Sequence, residues 1–76
     1  MSAAATAALR RICDYGFAEL SLHRLEAASM PGNAGSLRVL EKAGFEREGL
    51  ARRYLKINGA WEDHVLLARI GGEDTG

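Results

Sequence analysis

The sequence predicts an α/β fold built in the order helix, strand, helix, strand, strand, with the last two strands forming a C-terminal β-hairpin. Three observations carry this prediction. Apolar side chains recur every three or four positions over residues 4–20, which is the period of an amphipathic helix. Pro31-Gly32 interrupts the chain ahead of a shorter helical pattern. Asn58-Gly59 separates two strand-like runs and is a strong signal for a two-residue hairpin turn.

Length and composition exclude several classes of protein. The 76 residues allow one domain at most, and a single cysteine excludes an intrachain disulfide. One cysteine and two histidines do not suffice for a structural zinc site, so no metal is expected. Ten basic and ten acidic side chains cancel, which argues against nucleic acid as a partner. No apolar run is long enough to span a membrane and the first residues do not resemble a signal peptide, so we expect a cytoplasmic setting.

The first helix is predicted over residues 4–20 with one apolar stripe facing the core. The predicted stripe consists of Leu9, Ile12, Cys13, Phe17 and Leu20. Gly16 disfavours a helix, so we expect a neighbouring element to pack closely against it. Cys13 lies on the stripe, where a buried, unreactive thiol is the simpler interpretation than a catalytic thiolate.

The spacing of the apolar side chains changes at residue 22 from the period of a helix to that of a strand. Over residues 22–30 the side chains alternate as in a strand, with Leu25, Ala27 and Ser29 on one face and Arg24, Glu26 and Ala28 on the other. A second helix is then predicted over residues 34–43. Asn33 is a favourable N-cap residue, and Gly44 occupies the position of a C′ glycine.

The hairpin turn fixes a register for the last two strands. It predicts that Ile57 faces Ala60, Lys56 faces Trp61, Tyr54 faces Asp63 and Arg53 faces His64. The following run, residues 65–68, is apolar at every position, which predicts a strand buried on both faces.

Few residues carry a chemical signal in isolation. His23 and His64 have no partner at a suitable spacing, so structural or surface roles are expected. The basic hairpin residues Arg52, Arg53 and Lys56, with Tyr54 and Trp61 nearby, resemble a small nucleic-acid patch, but a solvated face is the simpler interpretation. Asn33 and Ser36 open the second helix, where they are either a cap or, with the free N–H groups of the first turn, a site for an acceptor-rich ligand.

A longer pattern resembles a known family. The stretch His23-Arg24-Leu25-Glu26-Ala27, then Pro31-Gly32-Asn33, Ser36 and residues 39–45 (Val-Leu-Glu-Lys-Ala-Gly-Phe) resembles the C-terminal half of a GNAT-superfamily N-acetyltransferase. Glu48-Gly49-Leu50, Ile57-Asn58-Gly59 and Trp61-Glu62-Asp63-His64 make it most similar to the ribosomal-protein-alanine N-acetyltransferase branch. The resemblance implies a mixed sheet that splays open around acetyl-CoA as co-substrate. It also implies that residues 1–70 form the C-terminal half of the acetyltransferase domain. The glycines and polar residues of 71–76 predict a disordered tail.

The resemblance assigns roles to a few positions of this chain. Asn33 resembles the asparagine that contacts the pantetheine arm, and Ser36 resembles the serine near the sulfur, which makes it the candidate catalytic residue. Many members of the family carry, at the position of Leu40, a tyrosine that acts as the acid for the departing thiolate. The remnant of the pyrophosphate loop would be the cofactor-binding residues Ala3, Ala5 and Thr6. The glycines of that loop align with Met1 and Ala3, so we expect the isolated chain to bind acetyl-CoA weakly or not at all.

The resemblance leaves two functions open. In the first, the chain is part of an enzyme that acetylates an amine, possibly the N-terminal alanine of a ribosomal protein or a small molecule. In the second, it is a catalytically inactive relative that acts as an interaction module. Because the strand that precedes the first helix in the family is absent from this pattern, we expect pairing with a second copy or with a complementary N-terminal half.

Overall fold

The computed structural model describes residues 3–71 and confirms the predicted order of elements. The elements are α1 (Ala3–Glu19), β1 (Arg24–Ser29), α2 (Ala34–Lys42), β2 (Glu46–Ile57) and β3 (Ala60–Ile70). At the end of β3, the N–H of the buried Gly71 donates to the carbonyl of His23 at 3.1 Å. The rest of the predicted tail, residues 72–76, lies outside the described residues. None of the helices in the described range combines the length and apolar content needed to cross a bilayer.

The strands form one sheet in the order β1-β3-β2, with antiparallel pairing throughout. β3 is central, which explains its continuous apolar run. Leu67 and Ala68 point to opposite faces and are both buried, whereas Val65 and Leu66 in the same run are half-buried, so the burial predicted for both faces is only partial. β1 is at one edge of this sheet, and the strands of residues 3–71 do not form the mixed sheet that the resemblance implies, because they pair only antiparallel.

Both helices pack on one face of the sheet. The alternation predicted for β1 is confirmed, because Leu25 and Ala27 pack against the core while Arg24, Glu26 and Ala28 are exposed on the other face. We call that other face the open face. The buried core cluster consists of Cys13, Leu37, Ala43, Phe45 and Leu67.

The apolar stripe of α1 is confirmed only in its centre. Cys13 is buried, and Leu9 and Phe17 pack against the core. Ile12 remains 69% exposed because it lies about 100° around the helix from Cys13. Leu20 is 57% exposed because α1 ends at Glu19, one residue earlier. The close contact expected at Gly16 is confirmed, since a Cβ there would lie 3.3 Å from Leu22 Cδ1.

α2 begins and ends with the predicted caps. The Asn33 side chain accepts a hydrogen bond from the Ser36 N–H at 3.1 Å. At the other end, Gly44 has φ +100°, and the N–H groups of Gly44 and Phe45 donate to the carbonyls of Glu41 and Leu40, both at 3.0 Å. This pair of bonds is a Schellman motif, and it turns the chain so that Phe45 enters the core.

The predicted hairpin register is correct only next to the turn. Ile57 pairs with Ala60 and Lys56 with Trp61, as expected. The prediction that Arg53 faces His64 is wrong, because His64 pairs with Ala51 and the register shifts between Ala51 and Leu55. Within the described ladder, Leu55 pairs with Glu62, and no pair joins Tyr54 to Asp63.

This irregularity is a bulge held by a side chain. Arg53 adopts φ 50°, and its N–H donates to Asp63 Oδ1 at 2.9 Å. A backbone donor that the bulge removes from the ladder is therefore satisfied by a carboxylate on the partner strand.

Candidate functional site

Asn33 and Ser36 lie together at the amino end of α2, directly after β1 and its turn. The Asn33 N–H donates to the Met30 carbonyl at 2.9 Å, which closes the turn through Pro31 and Gly32. The Asn33 side-chain oxygen then accepts from the Ser36 N–H. Asn33 is exposed and Ser36 is half-buried. The structure thus brings together the two residues that the resemblance assigns to the pantetheine arm.

This helix end has the chemistry of an acceptor-binding site. The first turn of α2 contains no acidic residue, so no side chain within it offsets the positive end of the helix dipole. The Ser36 hydroxyl and the Asn33 amide N–H₂ are hydrogen-bond donors of the kind that carbonyl and amide oxygens of an extended polar ligand require. The cap and the ligand site are compatible, because the cap uses the Asn33 oxygen and leaves its amide nitrogen as a donor.

The other three predicted cofactor-binding residues lie in the first turns of α1. Ala5 and Thr6 are half-buried, and the first turn of α1 contains no acidic residue. For Ala3 the structure gives the backbone position at the start of the helix. Binding by Ala3, Ala5 and Thr6 stays a prediction.

The two histidines occupy different settings. His64 is 4% exposed on β3; its Nδ1 lies 3.1 Å from the Glu62 carbonyl, and its ring centroid lies 5.6 Å from that of Tyr54. His23 is exposed before β1. Over residues 3–71, no group of three or more histidine, cysteine or acidic side chains is arranged to hold a metal ion.

An ion cluster on the open face was not predicted from the sequence. Arg24 on β1 donates from Nε to Glu26 Oε2 at 2.8 Å, and from Nη1 to Glu48 Oε2 on β2 at 3.2 Å. Hydrogen bonding to Arg24 lowers the pKa of the Glu48 carboxyl below its usual value, and the two carboxylates raise the pKa of Arg24. The cluster crosses over β3, so no sequence spacing could have revealed it.

A second unpredicted contact joins three elements on the helical face. Arg69 on β3 donates to Asp14 Oδ1 on α1 at 2.8 Å and to the Ala43 carbonyl at the end of α2 at 3.2 Å. Its guanidinium carbon also lies 5.1 Å from the centre of the Phe17 ring. This arginine connects both helices to the central strand.

Comparison with known proteins gives a consistent result. Residues 2–46 match the family model described as an acetyltransferase (GNAT) domain. The chain is 59% identical over 69 residues to the probable N-acetyltransferase YjcK of Bacillus subtilis, covering 91% of this chain and 38% of that protein.

Two solved structures share the fold closely. A ribosomal-protein-S5-alanine acetyltransferase from Vibrio fischeri superposes with a TM-score of 0.87 at 44% identity, covering 90% of this chain and 37% of the other. RimJ of Mycobacterium smegmatis in complex with CoA-disulfide gives 0.86 at 46% identity, covering 95% and 34%. The chain thus spans well under half the length of each of these relatives.

Proposed function

Because the chain belongs to the GNAT acetyltransferase family, we propose that it contributes the pantetheine-binding part of an acetyl-CoA-dependent N-acetyltransferase. The match of residues 2–46 to the family model spans every predicted site residue, including Asn33 in the cap position ahead of α2. In this proposal Asn33 and Ser36 bind the pantetheine arm, and Ala3, Ala5 and Thr6 lie toward the phosphates.

The observation that carries the proposal is the Asn33–Ser36 pair at the amino end of α2. The 3.1 Å bond from the Ser36 N–H to Asn33 Oδ1 fixes the asparagine so that its amide nitrogen remains a donor for an amide of the arm. Acetyl transfer forms a bond from the neutral amine nitrogen to the acetyl carbon, breaks the carbon–sulfur bond, and releases the proton of the amine, which passes through water to the departing thiolate. Negative charge then develops on the departing sulfur, where the Ser36 hydroxyl would donate a hydrogen bond.

Ser36 acts in this scheme by hydrogen bonding rather than by full proton transfer, because a serine hydroxyl is a weak acid. Leu40 stands where many relatives carry a tyrosine acid, so Ser36 is the proposed donor to the leaving group. A hydrogen bond from Ser36 that forms fully only as the sulfur departs stabilises the transition state more than the bound substrate. It therefore lowers the activation barrier and raises kcat.

For the acceptor we propose the α-amine of a ribosomal protein that begins with alanine. Support comes from the Vibrio fischeri ribosomal-protein-S5-alanine acetyltransferase, with 44% identity and a TM-score of 0.87. The name of YjcK, at 59% identity, specifies no acceptor, so a small amine is the competing assignment within the same reaction.

A second candidate function is an interaction module without catalysis. It is favoured by the position of β1 at the edge of the described sheet, where an edge strand can pair with another chain. Its partner would be a second copy or a complementary N-terminal half. The two candidates differ in whether the Asn33–Ser36 pair has a chemical role.

A chimera separates the two candidates. In this chimera, residues 3–71 replace the matching segment of the Vibrio fischeri acetyltransferase. Acetyl transfer to a peptide that begins with alanine is measured through the release of the coenzyme thiol. We expect activity, and we expect Ser36→Ala to lower kcat about tenfold or more, a larger factor than any rise in the KM for acetyl-CoA. Ser36→Thr, which keeps a hydroxyl, serves as the matched control. A folded chimera without activity would favour the interaction module.

A further inference from the structure

The far end of the β2–β3 hairpin extends beyond the three-stranded part of the sheet. β1 ends at Ser29, which pairs with Val65, whereas β2 and β3 continue to pair as far as Ile57 and Ala60 beside the turn. We call residues 50–61 the hairpin tip. None of these residues belongs to the buried core cluster of the described chain, and most of them are exposed. The side chains of the hairpin tip are therefore accessible to a partner.

The hairpin tip is positively charged, although the whole chain is neutral. It contains Arg52, Arg53 and Lys56 and no acidic residue. All three side chains are exposed, and none of them takes part in the ion pairs formed within residues 3–71. Arg24 and Arg47, in contrast, are each paired with a glutamate. The three cations of the tip are therefore free to contact an anionic partner.

Two acidic residues follow the hairpin tip on β3 without cancelling its charge. Glu62 and Asp63 are both half-buried. Asp63 Oδ1 accepts a hydrogen bond from the backbone N–H of Arg53 at 2.9 Å, which holds the bulge and leaves the guanidinium unpaired. When both acids are counted with the three cations, residues 50–63 retain a charge of plus one. This local charge supports contact with a few phosphate groups rather than general electrostatic capture.

Two aromatic side chains of the hairpin tip have the exposure that stacking requires. Trp61 is 51% exposed and Tyr54 is 47% exposed. The Tyr54 ring lies beside the buried His64, with the ring centroids 5.6 Å apart, so its position is supported from the sheet. Trp61 pairs across the hairpin with Lys56, which places a cation next to the indole. An aromatic surface next to a cation matches a nucleotide, which combines a flat base with an anionic phosphate.

We propose that the hairpin tip is a docking surface for single-stranded RNA. Trp61 and Tyr54 stack on unpaired bases, while Arg52, Arg53 and Lys56 contact the phosphates. A single strand fits better than a duplex, because the bases of a duplex stack on one another and do not offer their faces to a side chain. RNA is the source of such strands, since cellular DNA is largely double-stranded. The proposal does not rest on acetyl transfer or on the pantetheine site.

The first test uses Trp61, the only tryptophan of the chain, as its own probe. Octauridylate is titrated into the 76-residue chain, and the tryptophan fluorescence is recorded. We expect saturable quenching, and an affinity that falls about 10- to 20-fold when the salt concentration rises from about 50 to 200 mM, as about three phosphate contacts with a single strand require. An octaglutamate peptide of similar charge should cause little quenching. Equal quenching by the peptide, or no saturable quenching by the RNA, would overturn the proposal.

Paired variants test the role of the charges. Arg52→Gln combined with Arg53→Gln should weaken octauridylate binding about fivefold or more at low salt, and should reduce its salt dependence by about two thirds. Arg10→Gln combined with Arg11→Gln removes the same charge from exposed positions on α1 and should change the affinity less than about twofold. An equal loss of affinity in the two double variants would show a general effect of charge and would contradict a site at the hairpin tip.

A second pair of variants tests the stacking. The anisotropy of fluorescein-labelled octauridylate measures binding by chains that lack the tryptophan. Trp61→Leu should weaken binding about fivefold or more, because a base loses its aromatic contact, whereas Trp61→Phe should retain most of the affinity. If the two variants bind equally well, Trp61 does not stack on a base and the assignment of RNA fails.

Discussion

At the scale of single residues, the residues that cap α2 determine where this helix begins and ends, and the candidate site lies at its beginning. Asn33 starts the helix through its bond to the Ser36 N–H, and Gly44 ends it through a conformation with φ +100°. Both residues could be predicted from the sequence because caps are local features with strong residue preferences. The proposed ligand-binding role of Asn33 does not follow from the cap, because one asparagine can serve both purposes.

The cap at Asn33 gives a stability prediction. Asn33→Ala should lower the free energy of unfolding by about 1 kcal/mol, because the Ser36 N–H loses its acceptor. Asn33→Ser, which retains a capping oxygen, should lie within a few tenths of a kcal/mol of the wild type. Urea unfolding followed by circular dichroism measures both. An Asn33→Ala variant as stable as wild type would show that the observed bond does not cap the helix.

The C′ glycine gives a second prediction with a matched control. Gly44→Ala should destabilise the fold by about 1–2 kcal/mol or more, because an L-residue is strained at φ +100° and its Cβ would lie 3.2 Å from Arg69 Cδ. Gly32→Ala has open space around the new Cβ and should change stability far less. Thermal melts compare the two, and equal melting temperatures would contradict this account of Gly44.

At the scale of elements, Arg69 fixes the helices to the sheet. Arg69→Met removes the bonds to Asp14 and Ala43 and the contact with Phe17, while keeping an unbranched apolar stem. Asp14→Asn removes only the ion pair, in which Asp14 is 64% exposed, so it should cost less than about 1 kcal/mol. We expect Arg69→Met to be clearly more destabilising in urea unfolding. If the two variants unfold alike, the surface ion pair accounts for the whole effect.

The strand-spanning ion cluster predicts a dependence of stability on pH. Arg24 lowers the pKa of Glu48 in the folded chain below 4.5, so the pair stabilises the fold above that pH and loses its effect as acid protonates Glu48. The melting temperature of the wild type should therefore fall as the pH decreases below about 4.5, and Glu48→Gln should flatten that part of the curve. Glu19→Gln is the control. Parallel curves for wild type and Glu48→Gln would contradict the role assigned to the cluster.

The hairpin shows how far local signals extend. Asn58-Gly59 correctly fixed the pairs Lys56–Trp61 and Ile57–Ala60 beside the turn. Beyond them the bulge between Ala51 and Leu55 changed the register. Most of β2 is exposed, so its sequence lacks the buried alternation that would have specified which residue pairs with His64.

At the scale of the whole molecule, the order of elements could be predicted, but the contacts that join distant elements could not. Each helix and strand carries its own periodicity and end signals. The Arg24–Glu48 and Arg69–Asp14 contacts join residues that are 24 and 55 positions apart, and their existence depends on the strand order β1-β3-β2. The candidate pantetheine residues were assigned by resemblance to a family motif that is contiguous in sequence, whereas the Arg24–Glu48 cluster required the assembled sheet.

The free edge of β1 and the exposed apolar side chains predict self-association. Ile12, Leu50 and Ile70 are each more than half exposed, and an edge strand can pair with another chain. We therefore expect the purified chain to elute as a dimer or larger species at tens of micromolar. Size exclusion with light scattering measures this. A monodisperse species of 8.2 kDa with a cooperative melt would contradict the prediction.

The most direct test of the central claim is an NMR titration of the 76-residue chain with pantetheine, comparing wild type with Asn33→Ser. We expect shifts concentrated at the backbone amides of Asn33, Ser36 and Leu37, and weaker binding by Asn33→Ser, which keeps the cap but lacks the amide donor. Shifts confined to other parts of the fold, or equal binding by both chains, would contradict the assignment of this helix end to the pantetheine arm.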